Sequence, residues 1–195
     1  MNLPNKLTVL RVILVPFFVF FLLEQGIPHH NLFALIIFAV ASYTDHLDGK
    51  IARRDNLITN FGKFMDPLAD KILVISALVC FVATGMVSPW FVILIVFREF
   101  AVTSIRLVAS SGTGKVIAAN IWGKAKTVSQ IVAIIVIILS AYIKELSAMG
   151  LFPIEGILGT VLFITEIAVM VICTALTLFS GWIYVKENLE FIKDC

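Results

Sequence analysis

Long apolar runs separated by short polar breaks dominate the chain, and the runs are far longer than a strand or a buried helix of a water-soluble domain needs. Runs near residues 7–24, 32–53, 65–84, 89–109, 126–143 and 157–182 are each of the length that crosses about 30 Å of hydrocarbon at about 1.5 Å per residue. Backbone exposed to lipid must satisfy its own hydrogen bonds, so these runs predict an all-α, polytopic membrane protein with six transmembrane helices. Residues Met1 to Arg11 lack the short apolar core and small-residue cleavage site of a secretory signal, so 7–24 reads as a retained span. The connections are short apart from 110–124. No linker or internal repeat divides residues 1–195, which read as one domain.

Composition supports this reading. Of 195 residues, 60% are hydrophobic and 14% charged, against about 25% charged in a soluble domain. Too little polar surface remains to cover a water-facing globule, so the exterior faces lipid. Cys80, Cys173 and Cys195 are widely spaced, which argues against a disulfide or thiolate metal site. The distribution of charge says more than the net charge of +2. Fourteen of the fifteen lysines and arginines fall at the N-terminus, the second and fourth connections, or the C-terminus; Lys144 is the exception. By the positive-inside rule both termini are cytoplasmic, and that basic face attracts anionic substrates and anionic lipid. His29-His30, on the other side, read as a solvated turn.

Four aspartates break the apolar pattern. Asp45 and Asp48 stand three apart at the inner end of the second helix, and Asp66 and Asp70 stand four apart at the start of the third, so each pair stacks on one helix face. Asp48 precedes Arg54 by six residues and Asp66 follows Asn60 by six. That places both about 9 Å inside their helix ends. With a short turn between, the helices are antiparallel neighbours, and the carboxylates converge at one level. Four carboxylates at one depth are costly in a membrane and cannot all stay ionised without positive charge among them. Hard divalent cations, two Mg²⁺ or Mn²⁺, meet that need through oxygen ligands, and the scarcity of Cys and His there argues against zinc. Gly49 and Gly62 leave room for a ligand or a close helix contact. Pro67 falls in the first turn of the third helix, where proline is tolerated.

The spacing Asp45-x2-Asp48-Gly49-x2-Ala52-Arg53-x8-Gly62-x3-Asp66-x3-Asp70 resembles the signature of the CDP-alcohol phosphatidyltransferase family at each of its fixed positions. Asn2-Leu-Pro4-Asn5-Lys-Leu-Thr8-x2-Arg11, Phe97-Arg98-Glu99-Phe100 and Gly123-Lys124-x-Lys126-Thr127-x2-Gln130 are similar to the bacterial phosphatidylglycerophosphate synthase branch. The resemblance is strongest over 42–76 and weakest after 143. It implies transfer of a phosphatidyl group from CDP-diacylglycerol to sn-glycerol 3-phosphate with release of CMP. It further implies that Asp45, Asp48, Asp66 and Asp70 ligate the metals, that Asp70 is the general base, and that Gly49, Ala52, Arg53 and Gly62 line the cytidine and diphosphate site. A homodimer in the cell (inner) membrane is expected on the same ground, and no nucleic-acid partner.

Arg98 lies near mid-span of the fourth helix, too deep to reach the interface easily, and Arg106 lies near its cytoplasmic end with Glu99 available to either. Arg98, Arg106, Lys124 and Lys126 form a candidate pocket for the acceptor phosphate, where arginine supplies paired donors. Positive-inside flanking explains Lys124 and Lys126 equally well. Other acceptors remain open: serine, inositol phosphate or phosphatidylglycerol. A divalent-cation transporter is the reading from another class, but it predicts carboxylates spread along a path rather than clustered at one level.

Overall fold

The computed structural model describes residues 2–54, 60–113, 121–151, 153–154 and 156–187; the side chains of residues 46, 48–50, 52–54, 60, 61, 63, 64 and 106–113 lie outside that description. Among the described residues six helices follow one another: α1 Leu3–Leu23, α2 His30–Arg54, α3 Asn60–Ala83, α4 Pro89–Thr113, α5 Ile121–Ala148 and α6 Ile157–Glu187. No strand occurs among the described residues. Each apolar run lies largely within one of these helices. The helices overshoot the runs most at the ends that carry charge: α3 starts five residues before its run, and α5 starts five before its own.

Two helix ends are set by glycine. After α3, Gly85 adopts φ 74°, Met86 N–H bonds Phe81 O at 2.8 Å and Gly85 N–H bonds Val82 O at 3.1 Å. After α5, Gly150 adopts φ 77°, with Leu151 bonded to Leu146 O at 3.2 Å and Gly150 to Ser147 O at 2.9 Å. This paired closure of the last carbonyls needs a left-handed residue, which glycine adopts without a Cβ penalty. Because α3 starts at Asn60, Pro67 lies two turns in rather than in the first turn. It removes one helical hydrogen bond directly after Asp66.

Helix α1 packs most extensively, against both α2 and α3, while α2 and α3 touch each other only slightly among the described residues. Helix α5 packs on α6 and on α2, and α4 packs on α6. The core runs through Phe18 and Leu22 of α1, Ala34, Phe38 and Ala41 of α2, Leu78 and Phe81 of α3, Ile95 of α4, Ile134, Ile137 and Ile138 of α5, and Met170 of α6. Phe18 and Phe38 meet with ring centroids 5.6 Å apart, and Ala34 and Ala41 flank them with side chains small enough for a close helix approach.

The exterior is apolar as well. Phe17, Phe20, Phe97, Phe163, Ile157 and Trp182 are all exposed, a surface that water would not tolerate at this density. Helices α1, α5 and α6 are long and apolar enough to cross a bilayer. The protein is a membrane protein.

His30 corrects an expectation. It is buried rather than solvated: it opens α2, its Nδ1 lies 3.0 Å from Phe21 O, and its backbone N–H donates to Glu145 of α5 at 3.0 Å.

Candidate active site

The two aspartate pairs sit on α2 and α3, as their spacing requires, and α1 joins them. One face of α1 carries Pro4, Asn5, Thr8, Arg11, Val15, Phe18 and Leu22, all buried, and from Asn5 onward they recur every three or four residues. Its upper part packs in the core and its first turns turn a polar edge to the carboxylates. Arg11 is fully buried, and its Nη1 lies 2.7 Å from Asp45 Oδ1, whose side chain is 43% exposed. The Thr8 hydroxyl lies 2.6 Å from Asp66 Oδ1, as donor, and 3.2 Å from Pro4 O. Asp70 follows Asp66 by one turn and feels the charges of Asp45, Arg11, Lys126 and Glu99. Gly62 is buried in the turn before Asp66.

Asp70 also faces a small, partly open cavity lined by Lys71, Val74 and Ile75 of α3, Ile95 and Glu99 of α4, and Lys126 and Gln130 of α5. Glu99 Oε1 accepts from Lys126 Nζ and lies 3.4 Å from Arg98 Nη1, so Glu99 partners Arg98 and Lys126. Lys71 Nζ bonds the Thr103 hydroxyl, which in turn donates to Glu99 O at 2.7 Å. Arg98 stands behind Glu99: its Nη2 donates to Ser180 Oγ at 2.5 Å, and its stem lies on Gly181 of α6, where an added Cβ would come within 2.8 Å of Arg98 Cγ. Lys124 is exposed and two residues from Lys126, about 200° round the helix.

The side chains of Asp48, Gly49, Ala52, Arg53 and Arg106 lie outside the described residues. Among the described residues no three His, Cys, Asp or Glu side chains stand together closely enough to hold a metal. Even so, the donors on offer suit a hard cation. Asp45, Asp66 and Asp70 offer only oxygen donors, no cysteine lies with them among the described residues, and Asp45 is half exposed with Arg11 as its present counter-charge.

A profile of CDP-alcohol phosphatidyltransferases matches residues 1–182. The chain belongs to this family. Among its relatives, the CDP-diacylglycerol–glycerol-3-phosphate 3-phosphatidyltransferase of Bacillus subtilis is 42% identical over 98% of this chain and 97% of its own length. Proteins of the same name from Cereibacter sphaeroides and Escherichia coli K12 are 33% identical over 99% of this chain and 41% identical over 68%, respectively.

Thr8, Arg11, Glu99 and Gln130 fall in the segments that resemble the family but had no role assigned from sequence, and Ser180 and Gly181 fall in none. The α1 pair carried a signal in the sequence: a polar edge with the three-to-four spacing that continues into the apolar stripe Val15, Phe18, Leu22. Ser180 and Gly181 carried none, because they act only through the α4–α6 contact.

Proposed function

We propose that the protein transfers the phosphatidyl group of CDP-diacylglycerol to sn-glycerol 3-phosphate, giving phosphatidylglycerophosphate and CMP in phospholipid biosynthesis. The observation that carries the reading is Asp70. It belongs to the acidic centre and also lines the cavity that Lys71 and Lys126 border. A carboxylate so placed lies between a diphosphate site and a site for an anionic alcohol. The family and the relatives' names support the same reaction.

In this scheme Gly49, Ala52, Arg53 and Gly62 line the cytidine and diphosphate site. Asp45, Asp48, Asp66 and Asp70 hold two divalent cations, Mg²⁺ or Mn²⁺, whose charge offsets that of the diphosphate and of the departing phosphate oxygen. Lys126 and Arg98, with Arg106, draw the acceptor phosphate, while Lys124 on the far side of α5 flanks the site, and Asp70 takes the proton of the attacking hydroxyl. The hydroxyl oxygen bonds to the phosphorus that carries the diacylglycerol. The bond from that phosphorus to the CMP oxygen breaks, and its electron pair leaves with CMP. Apolar walls from Val74, Ile75 and Ile95 keep water from competing as acceptor.

We place the chain in the cell (inner) membrane as a six-span homodimer, with both termini and the active site on the cytoplasmic side. The charge distribution supports that orientation. A soluble acceptor then meets a lipid donor whose acyl chains stay in the bilayer.

The test is CMP release by purified protein supplied with CDP-diacylglycerol and Mg²⁺, with glycerol 3-phosphate, serine, inositol phosphate and phosphatidylglycerol compared as acceptors. Release with glycerol 3-phosphate alone, stopped by EDTA, is the expected result. Release with another acceptor overturns the reading of the basic pocket, and release that survives EDTA overturns the metal assignment.

A further inference from the structure

Gln130 is a polar group of the cavity to which this scheme gives no role. It lies on α5 one turn beyond Lys126 and is 4% exposed. Its side chain borders the cavity together with Asp70, Glu99 and Lys126, yet its Nε2 is fully buried and has no hydrogen-bond partner among the described residues. An amide shut away from water without a partner is destabilising, and nearly all buried polar groups are bonded. Leucine or methionine would fill the same place without that cost. An unpaired amide at the wall of a cavity therefore implies a ligand that completes it.

The surrounding groups define what that ligand presents. Lys71 and Lys126 draw an anion, and Asp70 draws the hydroxyl that reacts. A carboxamide is neutral and both donates and accepts, the complement of an alcohol, which also does both. It can bind a hydroxyl without disturbing the charges of Asp70, Glu99 and Lys126. We propose that Gln130 is a specificity-determining residue that binds the acceptor's secondary, non-reacting hydroxyl; this assignment rests on the acceptor reading above. It selects glycerol phosphate over alkyl phosphates that share the phosphate and the primary alcohol.

The experiment compares two acceptors in the full-length protein, sn-glycerol 3-phosphate and 3-hydroxypropyl phosphate, which lacks only the secondary hydroxyl. The wild type should use glycerol 3-phosphate with kcat/KM about tenfold above the analogue, the scale of one neutral hydrogen bond. Gln130→Met should lose about that factor on glycerol 3-phosphate and keep the wild-type value on the analogue. Its melting temperature should not fall, because no hydrogen bond of the free protein is removed. Equal loss on both acceptors, or no loss on either, overturns the role of Gln130 alone. A wild type that shows no preference between the two acceptors overturns it without any variant. No CMP release from the wild type with glycerol 3-phosphate overturns the acceptor reading, and this assignment with it.

Discussion

Buried charge is handled in opposite ways in two regions of this molecule. Where α5 meets the start of α2 and the first half of α6, carboxylates are closed off by the chain itself. Glu145 accepts from the backbone N–H groups of His30 and Asn31 at 3.0 and 3.2 Å and from Asn31 Nδ2 at 3.0 Å. Glu166 takes the Ser140 hydroxyl at 2.5 Å and Lys144 Nζ at 2.6 Å. In the acidic centre and the adjoining cavity, a single oxygen of Glu99 serves both Lys126 and Arg98, Asp45 is half exposed, and a buried amide is unpaired. In the first arrangement the donors of the chain itself answer both carboxylates, as a structural network in lipid requires, although Asn31 Oδ1 beside them has no partner among the described residues. The second has capacity left over, and unused capacity is what a substrate fills.

The largest effect belongs to the open region. Asp70→Asn keeps the size and most of the contacts of the side chain but removes the charge that takes the acceptor proton. Turnover should fall by about 10²–10⁴-fold, the contribution typical of general base catalysis, with helix content and melting temperature close to wild type. CMP release and circular dichroism on the same preparation check both halves. A variant that retains more than a tenth of the wild-type rate would remove Asp70 from the role of base and dissolve the contrast drawn above.

A smaller effect tests whether α6 belongs to the open region at all. Gly181→Ala places a methyl 2.8 Å from Arg98 Cγ and 3.1 Å from Nε. The arginine stem is flexible enough to move, but moving it takes the guanidinium off Ser180 and away from Glu99. Loss of a charge-assisted hydrogen bond is worth about tenfold or somewhat more. The KM for glycerol 3-phosphate should rise by about that factor while the KM for CDP-diacylglycerol stays put, and Arg98→Ala should do the same more strongly. If Arg98→Ala shifts the acceptor KM and Gly181→Ala does not, α6 is a wall and not a support.

Much of this was legible in the sequence because it is local. The three- and four-residue spacings of Asp45, Asp48, Asp66 and Asp70 fix which helix face carries each pair, and Arg54 and Asn60 mark the helix ends from which their depth was reckoned. Hydropathy marks the apolar centre of each helix but stops short at the charged ends, where the backbone continues helical. For that reason the apolar run alone puts Pro67 in a first turn that it does not occupy. What the sequence could not show is non-local. Helix α1 lies between α2 and α3, so Thr8 and Arg11 reach aspartates at positions 66 and 45. The seat of Arg98 on Ser180 and Gly181 joins residues some eighty positions apart. Nothing near His30 in sequence announces Glu145, so the local pattern reads as a solvated turn where the fold buries the residue.

Glu145 gives the smallest effect on catalysis and the clearest test of the closed region. Its carboxylate is 9% exposed and answers the first N–H groups of α2, which have no partner within the helix, so it caps α2 from another helix. Glu145→Gln keeps the shape but exchanges charged acceptors for a neutral one and brings one oxygen position to a donor that faces Asn31. The loss should be about 1–2 kcal/mol of stability, the difference between charge-assisted and neutral hydrogen bonds at such a site. It should appear as a lower melting temperature in detergent. The kcat and both KM values should stay within about twofold of wild type, since a cap at the start of α2 stabilises the helix without touching the aspartates near its end. A fall in turnover larger than the loss of stability accounts for would mean that α2 transmits the state of its first turn to Asp45, and the two regions would then be one coupled unit.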